Sequence, residues 1–245
     1  MRFLFPYLFA LVAGCATVVA TLQLDDRFGP ADPGRFDRPP TSRANAPDYW
    51  KDVRPVLDQR CVSCHACYDA PCQLNLTSYA GITRGANPKQ IYATRLLEEE
   101  PTRLGFDAIN NRDWREKGFF PVLNERGQTA EANRVGGVMY RMLAMKRDNP
   151  GPDSGLIANK DMDFALDRTQ VCVRAEAMDD YARHHANRGM PFGLPPLADA
   201  EYATLTGWLE AGAQYSPPAP PQPAVAKQIA DWEGQLNGDD RRSRL

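Results

Sequence analysis

At 245 residues the chain has room for one large domain or two small ones, and its 43% hydrophobic and 24% charged residues are ordinary for a globular protein. Basic and acidic residues nearly cancel, 29 against 31, for a net charge of −2. That balance excludes an electrostatic case for nucleic acid and for a polybasic membrane anchor.

The first element is a targeting segment. Arg2 precedes an uncharged, strongly apolar run, Phe3–Leu22, in which Val18-Val19-Ala20 offers small residues to signal peptidase. The same run is about long enough to serve as an uncleaved membrane anchor. Val12-Ala13-Gly14-Cys15 also resembles a bacterial lipobox, with Cys15 as the lipidated residue. Each reading sends the body of the protein across the inner membrane into the periplasm. Residues 23–47 follow as a polar linker carrying Pro30, Pro33, Pro39 and Pro40.

Asp48–Arg60 reads as a helix with Trp50, Val53 and Leu57 as its apolar stripe and Pro55 as a flaw in it. Cys61-Val62-Ser63-Cys64-His65 comes next. Cys-x-x-Cys-His is the attachment sequence of c-type haem. A tight helical turn sets both thiols against the vinyl edge of the porphyrin, and the adjoining histidine becomes an axial ligand. The pattern therefore predicts one covalent haem c per chain on Cys61 and Cys64, with His65 on the iron. It also predicts dependence on haem maturation machinery. Two other metals compete for these thiols. Cys61, Cys64, Cys67 and Cys72 nearly match an iron–sulfur run, with the last gap one residue too long, and they would suit a four-thiolate zinc knot. Neither accounts for the histidine. In an oxidising compartment two of the remaining cysteines, Cys67, Cys72 and Cys172, should pair. Cys67 with Cys72 would close a tight loop, and Cys172 could instead staple a distant segment to the haem loop.

Residues from about 75 to 185 form a large insertion before the next haem-like signature. The run Gly118–Leu123 is apolar, and Gly136–Lys146 predicts a helix bearing Val138, Met139, Met142, Leu143 and Met145. Such a thioether-rich face suits irregular apolar ligands, but the simpler expectation is that it forms the core of the insertion. The charges of Glu98–Glu100 and Arg112–Lys117 read as solvated faces.

The second signature is Met190-Pro191-Phe192-Gly193-Leu194-Pro195 followed by a helix from Asp199 to Gly212. Asp199 is the expected cap, Tyr202, Leu205, Trp208 and Leu209 make the apolar face, and Gly212 ends it. A methionine before proline in an extended loop, then a closing helix, is how small cytochromes c supply the sixth iron ligand. Met190 is accordingly the expected second axial ligand, with His184 or His185 as alternatives that would give a bis-imidazole iron. The fold class implied is mainly α: a cytochrome c-like haem domain over 48–215 with a large insertion between the haem motif and the methionine loop. A Pro-rich spacer covers 216–224. Residues 225–245, with a short helix over Ala224–Leu236, read as the start of a further C-terminal region.

The block Arg54–Leu74, with its run Cys64-His-x-Cys-Tyr-Asp-Ala-Pro-Cys72, resembles the haem segment of the bacterial periplasmic fatty acid cis/trans isomerases. Similar stretches follow in the same order: Glu100–Leu104, Trp114–Asn124, Val138–Lys146, Phe164–Arg168 with Cys172, and Gly189–Gly193. The resemblance spans about Asp48 to Leu245, and family members continue past the position of Leu245, so it implies the N-terminal, haem-bearing portion. It also implies conversion of cis-unsaturated acyl chains of membrane phospholipids to trans, a response to membrane stress. The family's haem cysteines and histidine match Cys61, Cys64 and His65, and its methionine matches Met190. His65 and Met190 are thereby implied at the reacting centre. The rival reading of the same residues is a periplasmic monohaem electron carrier with an electron-transfer partner.

Overall fold

The computed structural model describes residues 23–38, 45–66, 70–93, 96–97, 102–151, 171–215 and 227–234. They are mainly helical. The principal helices are α1 (Arg54–Arg60), α2 (Tyr79–Arg84), α3 (Asn111–Glu116), α4 (Ala130–Gly136), α5 (Val138–Asp148), α6 (Met178–His184) and α7 (Asp199–Glu210). Among the described residues the strands are a two-residue antiparallel pair, β1 (Tyr92–Ala93) and β2 (Leu96–Leu97). No helix among them is long and apolar enough to cross a membrane. The targeting segment, Cys15, Cys67 and the proline spacer lie outside the described residues.

The opening helix forms, in two windings. The Asp48 carboxylate accepts the N–H groups of Trp50 and Lys51 at 2.9 and 2.8 Å. Tyr49–Val53 is then wound as a π-helix and Arg54–Arg60 as an α-helix. The change falls beside Pro55, which has no N–H with which to continue the wider ladder. The expected stripe shifts with it. Tyr49, Val53 and Leu57 are the fully buried residues, and Trp50 is 37% exposed.

The closing helix α7 buries Leu205, Thr206, Trp208 and Leu209, with Tyr202 half-buried. Its cap is Ala198 rather than Asp199. Alanine has no side-chain acceptor, so Glu201 reaches back to the Ala198 N–H at 2.9 Å. Asp199 sits inside the first turn, paired with Arg147 at 2.7 Å. Gly212 ends the helix at φ +97°. The opening segment and α7 pack together through Tyr49 and Trp208, whose ring centroids are 5.9 Å apart, and the Trp208 indole donates to the Gln214 carbonyl at 2.8 Å.

Residues of the expected insertion are not a body apart. Ile82, Phe120, Met142, Met145 and Met178 share one buried cluster with Tyr49, Leu57, Leu205 and Trp208. The thioether face of α5 is thus core. The stretch Arg112–Lys117 is not a plain solvated face either. Trp114 is buried, and Arg115 donates to the carbonyls of Arg84 and Thr83 and pairs with buried Glu125 at 2.7 Å. Glu98–Glu100 lie outside the described residues.

The region expected to be a polar linker is docked at several of its described residues. Residues 23–28 are helical, and Asp25 accepts from buried Arg126 at 2.7 Å. Asp37 accepts three hydrogen bonds from Asn111, and Arg35 donates to the Gly212 carbonyl at 3.1 Å. Polar composition with prolines signals irregular backbone, and here that backbone finds its partners on the helices. At the other end, 227–234 is an exposed helix within the span expected to be one.

Candidate functional site

Cys61 begins where α1 ends, so the Cys-x-x-Cys-His motif is one more helical turn. The N–H of Cys61 bonds the Leu57 carbonyl at 2.9 Å, and the N–H groups of Cys64 and His65 bond the Cys61 carbonyl at 3.2 and 3.0 Å. The turn sets both thiols and the imidazole on one short segment. Cys61 and Cys64 are not disulfide-bonded. Cys64 is exposed. Cys61 is half-buried, and burial pushes its thiol up to about 11 against the pull of Arg60.

His65 is fixed twice by the chain beyond it. Its carbonyl accepts the Leu76 N–H at 2.8 Å, and its Nδ1 lies 3.1 Å from the Leu74 carbonyl. A carbonyl can only accept, so Nδ1 carries the proton and Nε2 carries the lone pair. That is the arrangement of a metal-binding imidazole, with one nitrogen tied to the protein and the other directed to the ion. Burial draws the imidazole below its ordinary value, and the Leu74 hydrogen bond opposes this.

The loop that supplies the Leu74 carbonyl is pinned from outside. Cys72 is bonded to Cys172, which stands 100 positions away in sequence. This resolves the open pairing in favour of the distant staple. It also takes Cys72 out of any four-thiolate set, so neither the iron–sulfur nor the zinc reading retains its fourth ligand. Among the described residues no group of three or more His, Cys, Asp or Glu side chains could hold a metal ion.

Met190 reaches the same core by another route. Its N–H bonds the Met142 carbonyl on α5 at 3.0 Å, and its side chain packs, half-buried, against the cluster that Cys61, Val62 and Leu74 also border. Gly189 makes this approach feasible. A Cβ there would stand 2.3 Å from the main-chain nitrogen of Lys146. The Met190–Pro191 peptide is cis. Arg60 joins the two signatures: it donates to the Pro196 carbonyl at 3.0 Å and pairs with Glu201 at 3.5 Å. His184 is on the surface of α6, with Nδ1 2.9 Å from the Asp180 carbonyl, and the His185 ring lies 4.9 Å from that of Tyr181.

Sequence reasoning placed the thiols and the imidazole and missed what holds them. The Leu74 main-chain acceptor has no side-chain signature. The Gly189 contact could have been suspected from a glycine immediately before the methionine.

Residues 99–245, well over half of the chain, match the family model described as fatty acid cis/trans isomerase. The matched span contains Met190 and Cys172 and begins after the Cys61–His65 turn. No curated protein and no solved structure matches the chain.

Proposed function

This chain belongs to the fatty acid cis/trans isomerase family, and from that premise we propose that it isomerises cis double bonds in the acyl chains of membrane phospholipids, using a covalent haem c on Cys61, Cys64 and His65. The observation that carries this reading is the His65 imidazole, with Nδ1 held by the Leu74 carbonyl and Nε2 left for a metal, in the same helical turn as two thiols that are not disulfide-bonded. The donor set suits haem c: two thiols for thioethers and a neutral imidazole for the iron.

A haem held by Cys61, Cys64 and His65 would supply an electron-withdrawing centre, the chemistry needed to weaken a π bond against rotation. The chain's own part is placement. The α1 extension presents Cys61, Cys64 and His65 from a rigid helical end, and the 72–76 return holds the imidazole plane. Met190 is the proposed further residue that would hold the iron, a thioether carried on a loop fixed to α5. Val62, Leu74 and Met190 border the apolar core, and an acyl chain would meet an apolar wall there. The Cys72–Cys172 disulfide fits an oxidising compartment, in line with a periplasmic location.

The test is to isolate the chain from cells with the c-haem maturation system, confirm covalent haem by the pyridine haemochrome band, and incubate it with vesicles of cis-unsaturated phospholipid. Gas chromatography of the fatty acids should show a rising trans share. Haem-loaded protein that cycles reversibly between ferric and ferrous states and leaves the lipids cis would be an electron carrier instead.

A further inference from the structure

Arg84, at the end of α2, is 1% exposed, and its hydrogen bonds go to main-chain carbonyls: Nη1 to Thr102 at 2.6 Å and Nη2 to Gln73 at 2.5 Å. Its guanidinium lies 4.7 Å from the Phe119 ring centroid and 5.4 Å from that of Trp114. A cation this deep is costly to bury unless carbonyl dipoles and aromatic faces offset the lost water. Burial alone lowers its pKa to about 10. A charge kept at such cost calls for an account of what it holds.

It holds a strained turn. Cys72 and Gln73 are consecutive non-glycine residues with left-handed backbone, at φ 56° and 49°. Such a pair persists only where its surroundings over-determine it. The ties include the bond to Cys172, the Asn87 N–H on the Cys72 carbonyl at 2.8 Å, the Gln73 side-chain amide on the Lys89 carbonyl at 2.8 Å, and the Arg84 guanidinium on the Gln73 carbonyl. The next residue is Leu74, whose carbonyl accepts the His65 Nδ1 proton.

We infer that Arg84 is the positioning residue for His65: by gripping the Gln73 carbonyl it locks the left-handed turn and aims the Leu74 carbonyl at Nδ1. The aim of the ring stands on the hydrogen bonds just given. That Nε2 then serves an iron rests on the cofactor reading proposed above. Lysine cannot reproduce the grip, because a single ammonium does not span two carbonyls as the planar fork does.

The test reads the haem-free full chain labelled with 15N-histidine, beside a preparation made with haem maturation that scores haem uptake, and His65→Ala assigns the His65 signals against those of His184 and His185. In the wild type the His65 ring should be a single Nδ1-protonated tautomer whose proton exchanges slowly with water. In Arg84→Met the tautomers should mix and exchange should speed up, with circular dichroism unchanged. Arg84→Lys should fall between, with exchange faster by about tenfold, the worth of one lost hydrogen bond; it carries the test if Arg84→Met does not fold. A wild-type ring protonated at Nε2, or folded variants with wild-type tautomer and exchange, would overturn the inference. If the tautomer shifts as stated but no preparation of the wild type takes up haem, the positioning role stands and the cofactor reading falls.

Discussion

Cys72 and Cys172 are bonded across 100 positions of sequence, with their Cα atoms 5.5 Å apart. The bond ties the return loop that holds His65 to the segment leading into α6 and the Met190 loop. In the chain-entropy account a cross-link closing a loop this long restricts the unfolded chain strongly. Cys172→Ser should lower the unfolding free energy by about 2–4 kcal/mol. Urea titration of the variant, and of the wild type with and without reductant, would check this. The reduced wild type should match the variant.

The two motif thiols differ in surroundings, and so should their reactivity. Cys64 is exposed, whereas the Cys61 thiol is half-buried and pushed up to about 11. At pH 8 only ~0.1% of such a thiol is thiolate, the reactive form. Iodoacetamide should therefore label Cys64 well before Cys61 in haem-free protein, as read by peptide mass mapping. After haem loading neither should label, because both sulfurs would be thioethers.

Trp208 and Trp50 both pack near the Tyr49 ring and make contrasting demands. Trp208 is fully buried and hydrogen-bonded, and Trp50 is 37% exposed. Trp208→Ala should cost about 3–5 kcal/mol, and Trp50→Ala less than about 1 kcal/mol. Denaturant midpoints at a common slope would separate them.

Burial raises Glu125 above its ordinary 4.5, and Arg115 pulls the other way without cancelling the effect. The folded protein then holds this proton more tightly than the unfolded chain does. The resulting stability is present below 4.5 and is lost as pH rises through the raised folded value. Wild type should thus lose stability relative to Glu125→Gln across that window as pH increases. Parallel thermal melts in a pH series would give the difference, and a constant gap would contradict it.

Gly189 leaves no room for a side chain, since its Cβ would meet the main-chain nitrogen of Lys146 at 2.3 Å. Gly189→Ala should push the methionine loop off α5 and cost about 1–3 kcal/mol. If Met190 holds the iron as proposed, haem-loaded variant protein should also show a changed ligand band.

The candidate site residues stand out in the sequence because each carries its own signal. Cys61, Cys64 and His65 form a motif, and Met190 precedes a proline ahead of an amphipathic helix. The mainly helical class followed from periodicity. What escaped was set by the main chain or by distance. The wider winding at Tyr49–Val53 turned Trp50 outward, although its spacing fits an ordinary helix. Capping by Glu201 onto Ala198 looks, in sequence, like capping by Asp199. The acceptor for His65 is a carbonyl, which every residue has. Arg115 reads as a surface charge because nothing local reveals that it donates to backbone carbonyls of another segment. The docked segment around Asp25–Asp37 was hidden for the same reason: its partners, Arg126 and Asn111, lie far along the chain.

The most direct measurement is the trans share of membrane fatty acids, by gas chromatography, in cells that lack such an isomerase and express this chain with c-haem maturation. The account predicts a rise with the wild type that disappears in His65→Ala, at equal protein levels. A rise that persists in His65→Ala, or no rise from haem-loaded wild type, would contradict it.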